Sequence, residues 1–126
     1  MSHSLWLGLL VACGASMGAL ARWAANIWFN PLWGGFPLGT FTVNVVGGFL
    51  AGAGYVVFGK HQQEAARLLL ITGFLGGLTT FSTFSAESLA LIERGRPGMA
   101  IAHTLAHVLG ALGCAMLGAK LARWWV

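Results

Sequence analysis

The sequence predicts an all-α membrane protein, four transmembrane helices in a single domain over residues 1–126. Three observations carry this reading. Hydrophobic residues make up 57% of the 126-residue chain and charged residues only 8%, against about 25% charged in a soluble domain. The few charges divide the chain into charge-free runs long enough to supply four helices of the ~20 residues that a hydrocarbon core of about 30 Å requires. Between the helices stand short clusters of Pro, Gly and charged residues, the composition of turns. A water-soluble monomer is excluded.

The same composition narrows the chemistry. The acidic residues are Glu64, Glu87 and Glu93, with no Asp, so paired-carboxylate catalysis and multi-carboxylate metal sites have little material. No nucleophile–base pair stands out and almost nothing lies outside the helices, which sets enzymes aside. The seven Lys and Arg are scattered singly rather than gathered into a basic patch, so nucleic acid is not an expected partner. Cys13 and Cys114 sit in apolar runs and read as small buried hydrophobes rather than a disulfide.

Taken in order, the first helix covers about 4–28. Leu5 to Ala21 carries no charge, and Arg22 and Trp23 mark an interface-like boundary. The segment lacks a basic n-region and is longer than a signal-peptide core, so it is expected to be retained. Trp23 to Gly59 is again free of charge but too long for one helix. Asn30-Pro31, Gly34-Gly35 and Pro37 break it, leaving a second helix at about 39–59. Lys60, Glu64 and Arg67 mark a polar loop before a third helix at about 67–93. Glu93-Arg94-Gly95-Arg96-Pro97-Gly98 forms the next turn. The fourth helix, about 98–125, closes on Lys120, Arg123 and the interfacial pair Trp124-Trp125.

Four helices place both termini on one side, with Lys60, Arg67, Lys120 and Arg123. The other side holds Arg22, Arg94 and Arg96. Orientation follows Lys/Arg asymmetry, and four against three is almost none. Either biogenesis factors decide the orientation or both orientations insert and pair as an antiparallel, dual-topology homodimer. The pairs Gly14/Gly18, Gly48/Gly52 and Gly73/Gly77 have the small-xxx-small spacing that lets helix backbones approach. That packing serves equally within one subunit or between two.

The third span concentrates the unusual residues. GFLGGLTTFSTFS, residues 73–85, combines three glycines, five hydroxyls and three phenylalanines with no charge. Glycine inside a helix costs about 1 kcal/mol relative to Ala, so an interruption near Gly76–Thr80 is expected, or else close helix packing with no break. A break inside a membrane survives only where its freed backbone groups meet protein, water or an ion, and such carbonyls suit a small cation. Phe81 and Phe84 share a helical face, Thr80, Thr83 and Glu87 share a neighbouring one, and Ser82, Ser85 and Ser88 recur every third residue. Aromatics at this spacing usually pack as core, but these lie between polar stripes in a span whose intramembrane carboxylate, Glu87, is a functional candidate by default. In the second span Thr40 and Asn44 share a face, with Gly47 and Gly48 a turn beyond. Asn44 reads either as glue between helices or as an amide donor to something crossing the membrane.

Together these residues resemble the CrcB/Fluc family of fluoride channels. The resemblance covers essentially the whole chain: GALARW around Arg22, GTFTVNVVGG around Asn44, GFLGGLTTFSTFSAE through Glu87, and HVLG around His107. The third motif is long and specific; the first alone is weak. The resemblance implies an antiparallel dual-topology homodimer with two pores in the bacterial inner membrane. Phe81 and Phe84 then line the anion path with Asn44 beside them. Thr40, Ser82, Thr83 and Glu87 extend a polar route, and Arg22 faces an aqueous vestibule. Backbone carbonyls of Gly76 and Thr79 are implied ligands of a central structural Na⁺. One position departs from the pattern: some relatives carry a serine in the pore wall after HVLG, where this chain has Ala111. The polar track is thinner there, or His107 substitutes. His103 and His107, four apart, have a spacing that also suits metal, but no third ligand is evident from the sequence, and packing or hydrogen bonding is the simpler reading.

The physics agrees with that resemblance. Fluoride is small and strongly hydrated, and ring edges carry positive quadrupole character without the trapping that a fixed cation brings. Conduction requires weak, multi-site binding. Three rivals stand beside it. A small multidrug transporter needs a Glu in the first span, which has none. A proton-coupled fluoride antiporter would use Glu87. A structural membrane subunit would make the hydroxyls mere helix glue.

Overall fold

The computed structural model describes residues 1–126. Helix α1 spans His3–Phe29, and the Ser2 hydroxyl caps it by accepting from the Leu5 N–H at 3.2 Å. A 3₁₀ turn, Asn30–Leu32, leads to α2 at Leu38–Lys60. Asn30 Oδ1 accepts from the Gly39 N–H at 2.7 Å, so the connection is tied to the first turn of the helix it feeds. Helix α3 covers 64–78 and is wound as a π-helix over Leu68–Leu75. Helix α4 spans Phe81–Glu93 and α5 spans Pro97–Trp125, with Pro97 in its first turn, where a missing N–H costs nothing. Gly95, at φ 74°, is the one residue with positive φ and turns the chain between α4 and α5.

Four segments are long and apolar enough to cross a membrane, α3 and α4 together forming the third, Glu64–Glu93. There is no strand. The chain is an all-α, multi-pass membrane protein. The charge-free run ends at Arg22, and α1 continues past it to Phe29, close to the helix expected at about 4–28. One sequence expectation needs correction. Neither cysteine is buried: Cys13 is exposed and Cys114 partly so, both as free thiols. An apolar run in a membrane protein turns much of its surface toward lipid, so apolar context does not imply burial.

Only 20 of 126 residues are buried, so packing rests on close backbone contact more than on a large core. The glycine pairs supply that contact within one chain. Gly14 and Gly18 of α1 lie against the backbone of Leu69, Gly73 and Phe74, while Gly73 and Gly77 lie against Val11 and Ala15. Gly48 and Gly52 of α2 meet the backbone of Ala111 and Ala115 in α5, and Gly118 meets Phe49. These contacts pair α1 with α3, and α2 with α5. A Cβ at Gly48 would fall 2.6 Å from the Ala111 carbonyl oxygen. At Gly52 it would fall 2.8 Å from the Ala115 Cα. Gly52→Ala is therefore expected to destabilise the fold by about 1–3 kcal/mol, the usual cost of overpacking. Gly113→Ala, where nothing lies within 4 Å, is expected to be neutral or better. Thermal unfolding followed by gel filtration checks this; equal tolerance at both positions would contradict the packing.

Candidate functional site

The helical backbone opens between α3 and α4. Thr79 (φ −87°, ψ 155°) and Thr80 (φ −150°, ψ 121°) are both extended. Every such residue inside a membrane leaves polar groups to satisfy, and several partners converge here. The Thr79 N–H and hydroxyl both donate to the Leu75 carbonyl, at 3.0 and 2.8 Å. Thr80 Oγ1 accepts from the Thr83 N–H at 3.1 Å and so caps α4. Arg22 Nε donates to the Gly77 carbonyl at 3.1 Å, a cation at the C-terminal end of a half-helix, where the dipole favours it.

Asn44 holds the break from α2. The Thr80 N–H donates to Asn44 Oδ1 at 2.8 Å, and Asn44 Nδ2 donates back to the Thr80 carbonyl at 3.1 Å. The first bond fixes the amide's orientation, because a backbone N–H needs an acceptor. Nδ2 also lies 3.0 Å from His107 Nδ1. Both amide hydrogens are thereby engaged within the chain.

Phe81 and Phe84 stand on α4 directly after the break, with ring centroids 5.3 Å apart at 71°. Their burial differs sharply: Phe84 is 7% exposed and Phe81 78%. Both line an open-sided cavity of about 490 Å³, which Asn44, Gly76, Thr79, Thr80, His107 and Ala111 also line. Gly76 is exposed, and a Cβ there would meet only the Ile71 carbonyl, at 4.0 Å.

A polar network extends from this cavity. Thr40, fully buried, donates its hydroxyl to Glu87 Oε2 at 2.7 Å and lies 3.4 Å from Asn26 Oδ1. His103 Nε2 lies 3.2 Å from Glu87 Oε1, and its Nδ1 lies 2.8 Å from the Ser88 hydroxyl, which in turn meets Thr104 at 3.1 Å. With Glu87 as the carboxylate, His103 carries its proton on Nε2 and accepts from Ser88 on Nδ1. The rings of His103 and His107 lie 4.5 Å apart, and Phe36 packs on both, at 5.2 and 6.3 Å.

The structure thus gathers Asn44, Phe81, Phe84, Gly76 and Thr79 around one cavity and places Thr40 and Glu87 in the adjoining network. Thr83 is half-buried at the start of α4, and Ser82 is exposed, 3.2 Å from the Thr80 hydroxyl. Arg22 lies apart from the cavity, half-buried against α3. The third group missing beside His103 and His107 is Glu87: one ligand-type atom from each lies within 4.8 Å of the others. The hydrogen bonds already engage these groups, the His103 proton on the carboxylate and the His107 Nδ1 lone pair on Asn44. Glu87 and His103 stand eight residues either side of Gly95, the glycine that turns α4 into α5. In a helical hairpin equal distances from the turn place residues side by side, and that symmetry was the available signal.

Residues 9–119 match the family described as CrcB-like protein, Camphor Resistance (CrcB). The chain is 45% identical over 117 residues to the fluoride-specific ion channel FluC of Acinetobacter baylyi, covering 92% of this chain and 93% of the relative. It is 48% identical to that of Variovorax paradoxus, covering 89% and 90%, and 44% identical to that of Pseudomonas aeruginosa, covering 95% and 97%. With a match that begins within the first span and ends within the fourth, the chain belongs to the CrcB-like family.

Proposed function

We propose that this chain is a fluoride-selective ion channel of the bacterial inner membrane, exporting cytoplasmic fluoride by passive conduction. The observation that carries the reading is the cavity itself. It sets two phenylalanine rings at an extended break inside a membrane span, with an amide and hydroxyls beside them and no fixed cation in its wall. Ring edges offer positive character that attracts an anion without holding it, as conduction demands. The names of the relatives support fluoride as the ion and a channel rather than an enzyme as the machine.

In this reading two copies pair as an antiparallel, dual-topology homodimer with two pores at their interface. Supporting it are the near balance of Lys and Arg on the two sides and the open side of the cavity, where the largely exposed Phe81 stands. Asn44, Phe81 and Phe84 line each pore; Thr40, Ser82, Thr83 and Glu87 continue the polar route, and Arg22 adds positive potential toward a vestibule. The third span is broken for a purpose. Oxygen donors suit a hard cation, and the Gly76 and Thr79 carbonyls at the break, both in the cavity wall, fit a structural Na⁺ that fastens the two copies together.

A second reading, proton-coupled fluoride antiport, is favoured by the Thr40–Glu87–His103 network. One experiment separates them. Purified protein in liposomes is expected to release fluoride but not chloride once a K⁺ ionophore carries the counter-charge, at a rate unchanged when the proton gradient is collapsed. Uphill fluoride movement driven by a proton gradient would establish antiport, and absence of fluoride release from the protein alone would favour a structural subunit.

A further inference from the structure

Two imidazoles and one carboxylate meet where α4 and α5 pair, beside the cavity that His107 lines. One ligand-type atom from each of Glu87, His103 and His107 lies within 4.8 Å of the others. His103 is fully buried and His107 is 4% exposed. The His103 Nε2 and Glu87 Oε1 atoms are 3.2 Å apart. A tetrahedral Zn²⁺ with bonds of about 2.0–2.1 Å holds its ligand atoms about 3.3 Å apart, so this pair already stands at ligand spacing. His107 Nδ1 is taken by Asn44, and Nε2 is buried with no hydrogen-bond partner. An unpaired polar atom is expensive in a membrane span, and this one belongs to a ring beside two groups able to share an ion with it.

The surrounding hydrogen bonds decide which ion fits and how tightly. Two neutral imidazoles with one carboxylate select a borderline divalent ion such as Zn²⁺ over Mg²⁺ or Ca²⁺, which favour oxygen. Thr40 orients the carboxylate by donating to Glu87 Oε2 at 2.7 Å, which leaves Oε1 to the ion. To bind through Nε2, His103 moves its proton to Nδ1, 2.8 Å from the Ser88 hydroxyl. A hydroxyl accepts as well as donates, and Ser88 can turn its own hydrogen to Thr104 at 3.1 Å. That bond therefore survives in reverse. His107 has no such freedom. Asn44 faces it with Nδ2, because Oδ1 is held by the Thr80 N–H at 2.8 Å. A proton moved to His107 Nδ1 would meet an amide hydrogen, so binding at Nε2 costs that one bond.

We infer that Glu87 Oε1, His103 Nε2 and His107 Nε2 form a Zn²⁺ site whose occupation blocks the fluoride path; the block, though not the site, rests on the channel reading above. Three protein ligands leave the fourth position open, and the cavity adjoins the site. The ion brings two positive charges against the single negative charge of Glu87. Occupation therefore places a fixed net cation on the polar route. Such a charge holds an anion where conduction needs it to leave. Asn44 limits the affinity, since it favours the His107 tautomer that turns a proton rather than a lone pair to the ion.

Binding and flux are measured separately on the full-length protein. Cobalt(II) chloride, added to metal-free protein in detergent, is the spectroscopic probe. One equivalent per chain is expected to give the intense visible absorption of tetrahedral Co²⁺, and zinc chloride to displace it. His103→Gln, which keeps an N–H donor for Glu87, and His107→Gln are each expected to lose the spectrum while eluting as the wild type does on gel filtration. Asn44→Asp, whose carboxylate accepts from a proton on His107 Nδ1, is expected to tighten Co²⁺ binding about tenfold, the size of effect that the partner of a ligating histidine exerts. In liposomes, zinc chloride is expected to stop fluoride efflux and EDTA to restore it, with the efflux that remains in His103→Gln indifferent to zinc. Three results would each overturn the site: no tetrahedral spectrum in the wild type, weaker binding in Asn44→Asp, or a spectrum that persists in both glutamine variants because the ion sits on the exposed His3 and His61. Zinc-insensitive efflux from protein that binds Co²⁺ would overturn the block. A Co²⁺ spectrum in protein that releases no fluoride would uphold the site and defeat the channel reading instead.

Discussion

Asn44→Ala is expected to reduce fluoride flux by about two orders of magnitude and to lower stability, because one side chain serves three partners. Removing it leaves the Thr80 N–H, the Thr80 carbonyl and His107 Nδ1 without their bonds. Each buried group left unpaired costs about 1–3 kcal/mol. Water reaching the cavity repays part of this, so a net loss of about 2–4 kcal/mol is expected. The flux defect has a separate origin. With the clamp gone, the extended residues Thr79 and Thr80 no longer hold Phe81 at its place in the wall. Asn44→Asp sharpens the test. Its carboxylate still accepts from the Thr80 N–H, but it donates to neither remaining partner and adds a negative charge to the anion path. It is expected to be at least as inactive as Asn44→Ala even where it folds better. Thermal unfolding and liposome efflux measured together check both claims. Native stability and native flux in Asn44→Ala would show that the clamp is incidental.

The spans were legible in the sequence because charge is costly in a bilayer, so each charge-free run reports a helix almost directly. Inside those runs the signal fades. Leu68–Leu75 reads LLLITGFL, and nothing in eight uncharged, mostly apolar residues distinguishes a π-helix from an α-helix. The glycine pairs were visible, but their partners were not. Spacing tells which residues share a face and not what that face meets, and the structure supplies the neighbours, α1 with α3 and α2 with α5. Cys13 is exposed for the same reason: an apolar run does not tell a face that meets protein from one that meets lipid.

At the candidate site the residue types were legible and the wiring was not. Asn44 invited attention as an amide at membrane depth, yet its bonds to Thr80 join residues 36 apart, a separation no local pattern reveals. In the sequence Glu87 stands alone as an intramembrane carboxylate and His103 as half of a histidine pair. Their contact depends on the hairpin at Gly95, where the symmetric offset was present but had no meaning until both flanking helices were placed. The His107 tautomer lies further still from the sequence, since it depends on the direction of a hydrogen bond two contacts away.

Phe81→Leu and Phe84→Leu are expected to cut fluoride flux by orders of magnitude, and their contrasting burial makes the pair more informative than either alone. Phe84 is packed among His103, His107 and Phe81, so replacing it with leucine is expected to cost about 1 kcal/mol of packing. Phe81 is largely exposed in the single chain, and the same replacement is expected to leave the fold of one chain nearly unchanged. If the rings served only as core, flux would follow burial: Phe84→Leu impaired, Phe81→Leu close to native. If their positive edges stabilise the ion, both variants lose conduction, and Phe81→Leu does so with no matching loss of stability. Leucine and methionine approximately conserve volume while removing the quadrupole, so Phe→Met at each site is expected to behave as Phe→Leu does. Phe74→Leu, before the break, acts as the control, since that ring packs on the buried cluster of Val43, Leu75 and Leu78 and is absent from the cavity wall. Flux, unfolding temperature and gel-filtration profile measured side by side decide the matter. Native fluoride flux in both Phe81→Leu and Phe84→Leu would remove the aromatic electrostatics from the mechanism, and with them the reason for a break in the third span to carry two phenylalanines.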